Sequence, residues 1–160
     1  MNLGSTITGA ILVAICVVPV VMMEHKRKKK ERKTLQSLIN IANQHNCKVS
    51  KHEICGDFVI GIDETKKHVF FSKQLADGVV NQSVNLADVK NCVVQNATRR
   101  IVNKDSTTNV VDKLELNFIP FDKSKSDITM EFFNSEINTQ LNGELQSFES
   151  WSKLIKSYLK

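Results

Sequence analysis

The stretch FVIGIDETKKHVFF, residues 58–71, decides the fold. Two short apolar runs flank the polar insert DETKK, which opens on the turn-favouring Asp63. Runs of this length, bounded this way, predict an antiparallel hairpin over residues 57–73. Phe70 and Phe71 are adjacent, and successive strand side chains point to opposite faces. One of the two rings must therefore leave the main core, which marks that face as a candidate contact surface.

Working outward toward the C-terminus, the same period recurs. Residues 76–78 (Ala-Asp-Gly) read as a turn, and VVNQSVNLADV as a strand with Val80, Val84 and Leu86 on one face. KNCVVQNA and RRIVNK read as two further strands, followed by a polar turn at DSTTN. VVDKLELNFIPF sets Leu114, Leu116 and Phe118 against Glu115 and Asn117, a half-buried strand pattern. It pairs across DKSKSD with DITMEFFN, where Ile128, Met130 and Phe132 share a face. The period then changes. In GELQSFESWSKLIKSYLK, Leu145, Phe148, Trp151, Ile155 and Leu159 recur at helical spacing, while Ser150, Lys153 and Lys156 fall outside the stripe. About seven strands followed by one apolar-faced helix predict an α+β unit: a small antiparallel β-barrel or bent sheet, capped by a C-terminal amphipathic helix in which Phe148, Trp151 and Ile155 form the structural cap.

Toward the N-terminus, Leu35, Leu38, Ile39 and Ala42 follow the spacing of a helix ending near Asn46. Before it lies the sharpest junction in the chain, VVPVVMMEHKRKKKERK, residues 17–33. Residues 3–23 carry no charge, enough length at about 1.5 Å per residue for a bilayer. Seven of the ten residues 24–33 are basic: Lys26, Arg27, Lys28, Lys29, Lys30, Arg32 and Lys33. A cleaved signal peptide would place its charge before the apolar run, and a buried core helix is the remaining alternative. The expectation is a transmembrane helix as anchor over residues 1–24, a basic juxtamembrane segment and helix over 25–47, and a domain over 48–160. The basic flank would stay inside. That gives a single-pass protein of the cell or inner membrane with its N-terminus outside and its C-terminal domain cytoplasmic. The basic run would set topology and could also meet anionic lipid.

The charge excess argues against a nucleic-acid domain. Residues 24–33 have a net charge of +5, and so does the whole chain. Everything after Lys33 is balanced, whereas a nucleic-acid domain carries a basic face of its own. No metal and no cofactor is implied. His45, Cys47, His52 and Cys55 are ligand types, but His45-x-Cys47 is too tight for a zinc knuckle. Cys47, Cys55 and Cys92 read as free thiols in a reducing compartment. No catalytic residue emerges, since none of the four histidines sits beside a nucleophile in a recognisable motif.

Residues 57–160 resemble a bacterial pleckstrin-homology-like domain. The likeness rests on the hairpin FVIGIDETKKHVFF with Asp63, Lys66 and Lys67 at its turn, on Asn85-Leu86-Ala87-Asp88-Val89, on LELNFIPF with ITMEFF, and on the terminal helix holding Trp151. The resemblance implies a bent barrel capped by the last helix, and binding or scaffolding rather than catalysis. Lipid-binding members carry several basic residues in a long loop between their first two strands. Here the turn offers only Lys66 and Lys67, so phosphoinositide-type recognition is not expected. The functional expectation is a tethered interaction domain for a protein partner or the membrane surface, with a lipid or small ligand in the barrel mouth as the alternative.

Overall fold

The hairpin turn at residues 63–67 is organised by one carboxylate. Asp63 is buried and accepts backbone N–H bonds from Lys48 at 2.8 Å and from Thr65 and Lys66 at 3.0 Å. Around this turn the chain builds its sheets. A computed structural model describes the backbone of residues 3–103 and 106–159, with side chains throughout except at 3–16, 20, 26, 101–103 and 106–108. It divides into two units, Met1–Lys33 and Thr34–Lys160.

The elements run α1 (Leu3–Gln44), β1 (Lys51–Cys55), β2 (Phe58–Asp63), β3 (His68–Leu75), β4 (Gly78–Asn85), β5 (Val89–Asn103), β6 (Ser106–Pro120), β7 (Ile128–Asn134) and α2 (Glu144–Tyr158). Strands β1-β2-β3-β4 form one antiparallel sheet and β5-β6-β7 a second. The barrel expectation is corrected: the architecture is α+β with two separate sheets and no closed barrel among the described residues. The break falls at residues 86–88. Leu86 was expected to continue a strand, but Leu86–Asp88 form a 3-10 turn in which the Asn85 side chain accepts from Ala87 N–H. The chain leaves the first sheet there and starts the second. No backbone ladder joins β4 to β7; side chains bridge them instead, with Gln82 Nε2 donating to the Thr129 carbonyl at 2.7 Å.

Alternation along β2 and β3 produces two cores. Phe58, Ile60, Ile62, Val69 and Phe71 face the second sheet and α2, joining Leu114, Leu116, Phe118, Met130 and Phe132. Val59 and Phe70 face the other way and are covered by Leu38, Ala42 and Cys47. β2 is therefore buried on both faces, which explains its continuous apolar sequence. Gly61 lets the two layers approach: a Cβ there would meet Val49 Cγ1 at 2.9 Å and Leu38 Cδ2 at 3.1 Å.

Three strand readings change. β1 was missed, because an edge strand of sequence KHEIC shows little apolar alternation. With β1 present, the basic turn at Lys66 and Lys67 joins the second and third strands, not the first two. The strands read as KNCVVQNA and RRIVNK are one fifteen-residue strand, and β6 begins at Ser106 inside the stretch read as a turn. Cross-strand pairing sustained these polar residues where local propensity pointed to a loop.

The transmembrane anchor and the localisation built on it are also corrected. Among the described residues, no helix is long and apolar enough to cross a membrane. The physical reason lies in the composition of the run. Residues 3–9 include Gly4, Ser5, Thr6, Thr8 and Gly9, so the continuously apolar core, residues 10–23, is fourteen residues long. A typical span holds about 20 predominantly apolar residues. The side chains of residues 3–16, Cys16 included, lie outside those described.

The Asp63 geometry carries a pH prediction. Backbone N–H donors, Lys66 foremost, hold its carboxyl below the usual range against the opposing effect of burial. A carboxyl depressed in the folded state adds stability above its unfolded pKa of about 3.9, and that contribution is lost as pH falls through the folded value. Asp63→Asn should therefore lower stability at neutral pH by about 1–3 kcal/mol. The deficit should shrink in strong acid, as read by denaturant titrations at several pH values.

Candidate functional site

The basic run lies on α1, and helical geometry sorts its charges. At about 100° per residue, Lys28, Lys29, Arg32 and Lys33 fall within an arc of about 140°. All four are exposed. Glu24, Arg27 and Glu31 lie off that arc and pair with one another, Arg27 reaching Glu24 at 3.8 Å and Glu31 at 3.5 Å. Both acidic residues of the run are thus spent on Arg27. Lys30 is exposed; the side chain of Lys26 lies outside those described. The result is a one-signed cationic face, a local field that attracts polyanions or anionic surfaces.

Within the folded unit, the seam between β4 and β7 is the most unusual place. Lys73 on β3 is only 3% exposed. Its Nζ donates to the Glu131 carbonyl at 3.2 Å and to Glu131 Oε1 at 3.0 Å. Lys113 joins from β6, 2.7 Å from Glu115 and 3.5 Å from Glu131. Burial alone would raise the Glu131 pKa, but the two lysines and Asn134 hold it lowered. Beside this network lies a pocket of about 250 Å³ with Phe71, Leu75, Val80 and Gln82 in its wall. A second pocket of about 240 Å³, mostly apolar, opens between α1 and the segment leading into β1, lined by Leu35, Ile39, Ala42, Cys47 and Val49 among others.

The candidate ligands of sequence reasoning are dispersed. Cys47 is buried beneath α1, its thiol pushed up chiefly by desolvation. Cys55 ends β1, where burial and then Glu144, Glu53 and Asp57 push it up to about 11. Cys92 is pushed to about 11 by burial. All three are free, and protonated thiols are poor nucleophiles. His52 is exposed, while His45 turns toward His68, ring centroids 4.9 Å apart, and its Nε2 lies 3.1 Å from Ser83 Oγ. Among the described residues, no group of three or more His, Cys, Asp or Glu is placed to hold a metal ion.

No family model, curated protein or solved structure matches this chain. Its chemistry is therefore read from its own residues.

The candidate contact surface at Phe70 and Phe71 resolves internally. Phe71 enters the main core, and Phe70 stacks on His68 at 4.6 Å under the end of α1. On α2, Phe148, Trp151 and Ile155 are all buried in the main core. Trp151 Nε1 donates to Glu53 Oε2 at 2.7 Å, tying α2 to β1, with Lys51 Nζ 6.0 Å from its ring centroid. Sequence reasoning missed the Lys73–Glu131–Lys113 network. A lone lysine in HVFFSKQL carries no sequence mark of burial; only the meeting of β3 with β7 creates it.

Proposed function

We propose that this chain is a non-catalytic interaction module of pleckstrin-homology-like design. In this reading the basic face of α1 meets an anionic lipid surface without crossing it, and the folded unit engages a protein partner. The observation that carries it is the charge sorting on α1. Lys28, Lys29, Arg32 and Lys33 share one exposed arc, while Glu24 and Glu31 pair with Arg27 elsewhere on the helix. The four-plus-three strand order with α2 packed on it supports the pleckstrin-homology-like part. A sandwich interior filled by Phe58, Phe71, Phe132 and Phe148, with neighbouring rings 4.9–5.4 Å apart, favours binding on the outside. The small-ligand reading at the β4–β7 seam ranks second, because its pocket of about 250 Å³ is below the roughly 300–1,000 Å³ usual for ligand sites.

Vesicle sedimentation of the full chain tests the lipid part. Binding should appear on vesicles containing phosphatidylserine, weaken with added salt and be absent on pure phosphatidylcholine. Each basic residue near such a surface gains about 1 kcal/mol, so changing Lys28, Lys29, Arg32 and Lys33 together to Gln should weaken binding by well over tenfold. Equal binding to both vesicle types, or no loss in the fourfold variant, would overturn the surface role. Tighter binding to duplex RNA than to acidic vesicles would move the cationic face to a different class of partner. Crosslinking in cells, followed by identification of what is attached to the folded unit, tests the protein-partner part.

A further inference from the structure

The hairpin of β5 and β6 outruns the rest of its sheet. β7 pairs with β6 only between Lys113 and Phe118, whereas β5 and β6 stay paired out to Asn103 and Ser106. The Ser135 N–H donates to the Asp112 carbonyl at 2.8 Å, so the β7 side of β6 is occupied up to Asp112. Beyond it, residues 106–111 have β5 on one side and no strand on the other among the described residues. A register shift between Ala97 and Thr98 marks where this ribbon departs, as bulges bend and twist a strand pair. A two-stranded ribbon alone is at best marginally stable in water.

The two edges of the ribbon differ. On β5, Arg99 and Arg100 are adjacent and exposed; Arg99 reaches across to Asp112 of β6 at 3.1 Å, and Arg100 is the kind of charge that guards an edge against pairing. On β6, residues 106–111 read STTNVV, with no charge and four β-branched residues. Where β7 stops, a notch of about 330 Å³ lined by Arg99, Asp112, Ser135 and Glu136, among others, leaves room for the end of an added strand.

We propose that residues 107–111 of β6 pair antiparallel with the same residues of a second copy of this chain, joining two ribbons into one four-stranded sheet. This surface is independent of the lipid reading above. A two-fold axis at Asn109 sets residue 107 opposite residue 111 and residue 108 opposite residue 110 in the backbone register. Asn109 meets its own copy, and no like charges oppose within the segment. Pairing β5 with itself would instead bring arginines together. Five residues span about 17 Å of edge. That contact buries less than the roughly 1,000 Å² of a stable interface, so the dimer is weak and depends on concentration.

Sedimentation velocity of the full chain over a series reaching the high micromolar range tests this. The wild type should shift toward dimer with concentration. Asn109→Lys and Asn109→Asp each set like charges on the axis and should weaken association about fivefold or more. Asn109 is exposed and lies opposite Arg100 on β5, so Asn109→Lys should melt slightly below the wild type and Asn109→Asp no lower than it. An equimolar mixture of the two should regain association, because the axis then joins opposite charges, a result that misfolding could not produce. A wild type monomeric at every concentration, variants that associate as well as wild type, or a mixture no tighter than either variant alone would each overturn the proposal.

Discussion

Trp151→Ala should lower stability by about 3–5 kcal/mol, close to the whole margin of many domains. The indole is 2% exposed and lies in the main core with Phe148 and Ile155 of the same helix. Truncation leaves a cavity that the surrounding sheet positions cannot collapse into, and removes the 2.7 Å bond to Glu53. Deleting residues 144–160 should be worse, because it bares the core positions that α2 covers. The expected outcome is an unfolded or aggregating chain. Thermal melting followed by near-ultraviolet circular dichroism checks the substitution, and Trp151→Phe separates the parts. It retains most of the burial but not the hydrogen bond, so it should cost clearly less than alanine. A melting shift near zero for Trp151→Ala would mean that α2 does not close the main core in solution.

The second large effect concerns the end of α1. Leu38 is 0% exposed and sits on Val59 and Phe70, which are also fully buried. Leu38→Ala should cost about 2–5 kcal/mol. The same geometry sets where the chain can be shortened. Removing residues 1–33 leaves the second core whole and should give a folded unit. Removing residues 1–44 takes away Leu38 and Ala42 and exposes Phe70 on the outer face of the first sheet. That shorter chain should melt markedly lower and bind an apolar dye; if the two truncations melt alike, the end of α1 is not part of the folded unit.

Much of the sheet is legible in the order of the residues. The hairpin at residues 58–71, the alternation of Leu114, Leu116 and Phe118, and the stripe of α2 follow from period and turn chemistry, which are local properties. The misses fall where a neighbour outweighs local preference. β1 exists because β2 offers it a ladder from Lys51↔Ile62 to Cys55↔Phe58. Ser106 and its neighbours are strand because β5 pairs with them. The apolar run at residues 10–23 looks sufficient when its polar first turns are counted with it, and it falls short when they are not.

By itself the sequence determined the hairpin that became β2 and β3, the apolar stripe of the last helix, and that all net charge sits in ten residues of α1. Those properties depend on spacing along the chain, and spacing is what a sequence records. Tertiary structure alone decided which of Phe70 and Phe71 was covered by what, that Lys73 would be buried against Glu131, and that β6 would run past β7 and leave an edge open. Each of these depends on which strands become neighbours across long stretches of chain. That choice is made by burying the largest shared apolar surface, and no short window of residues contains it.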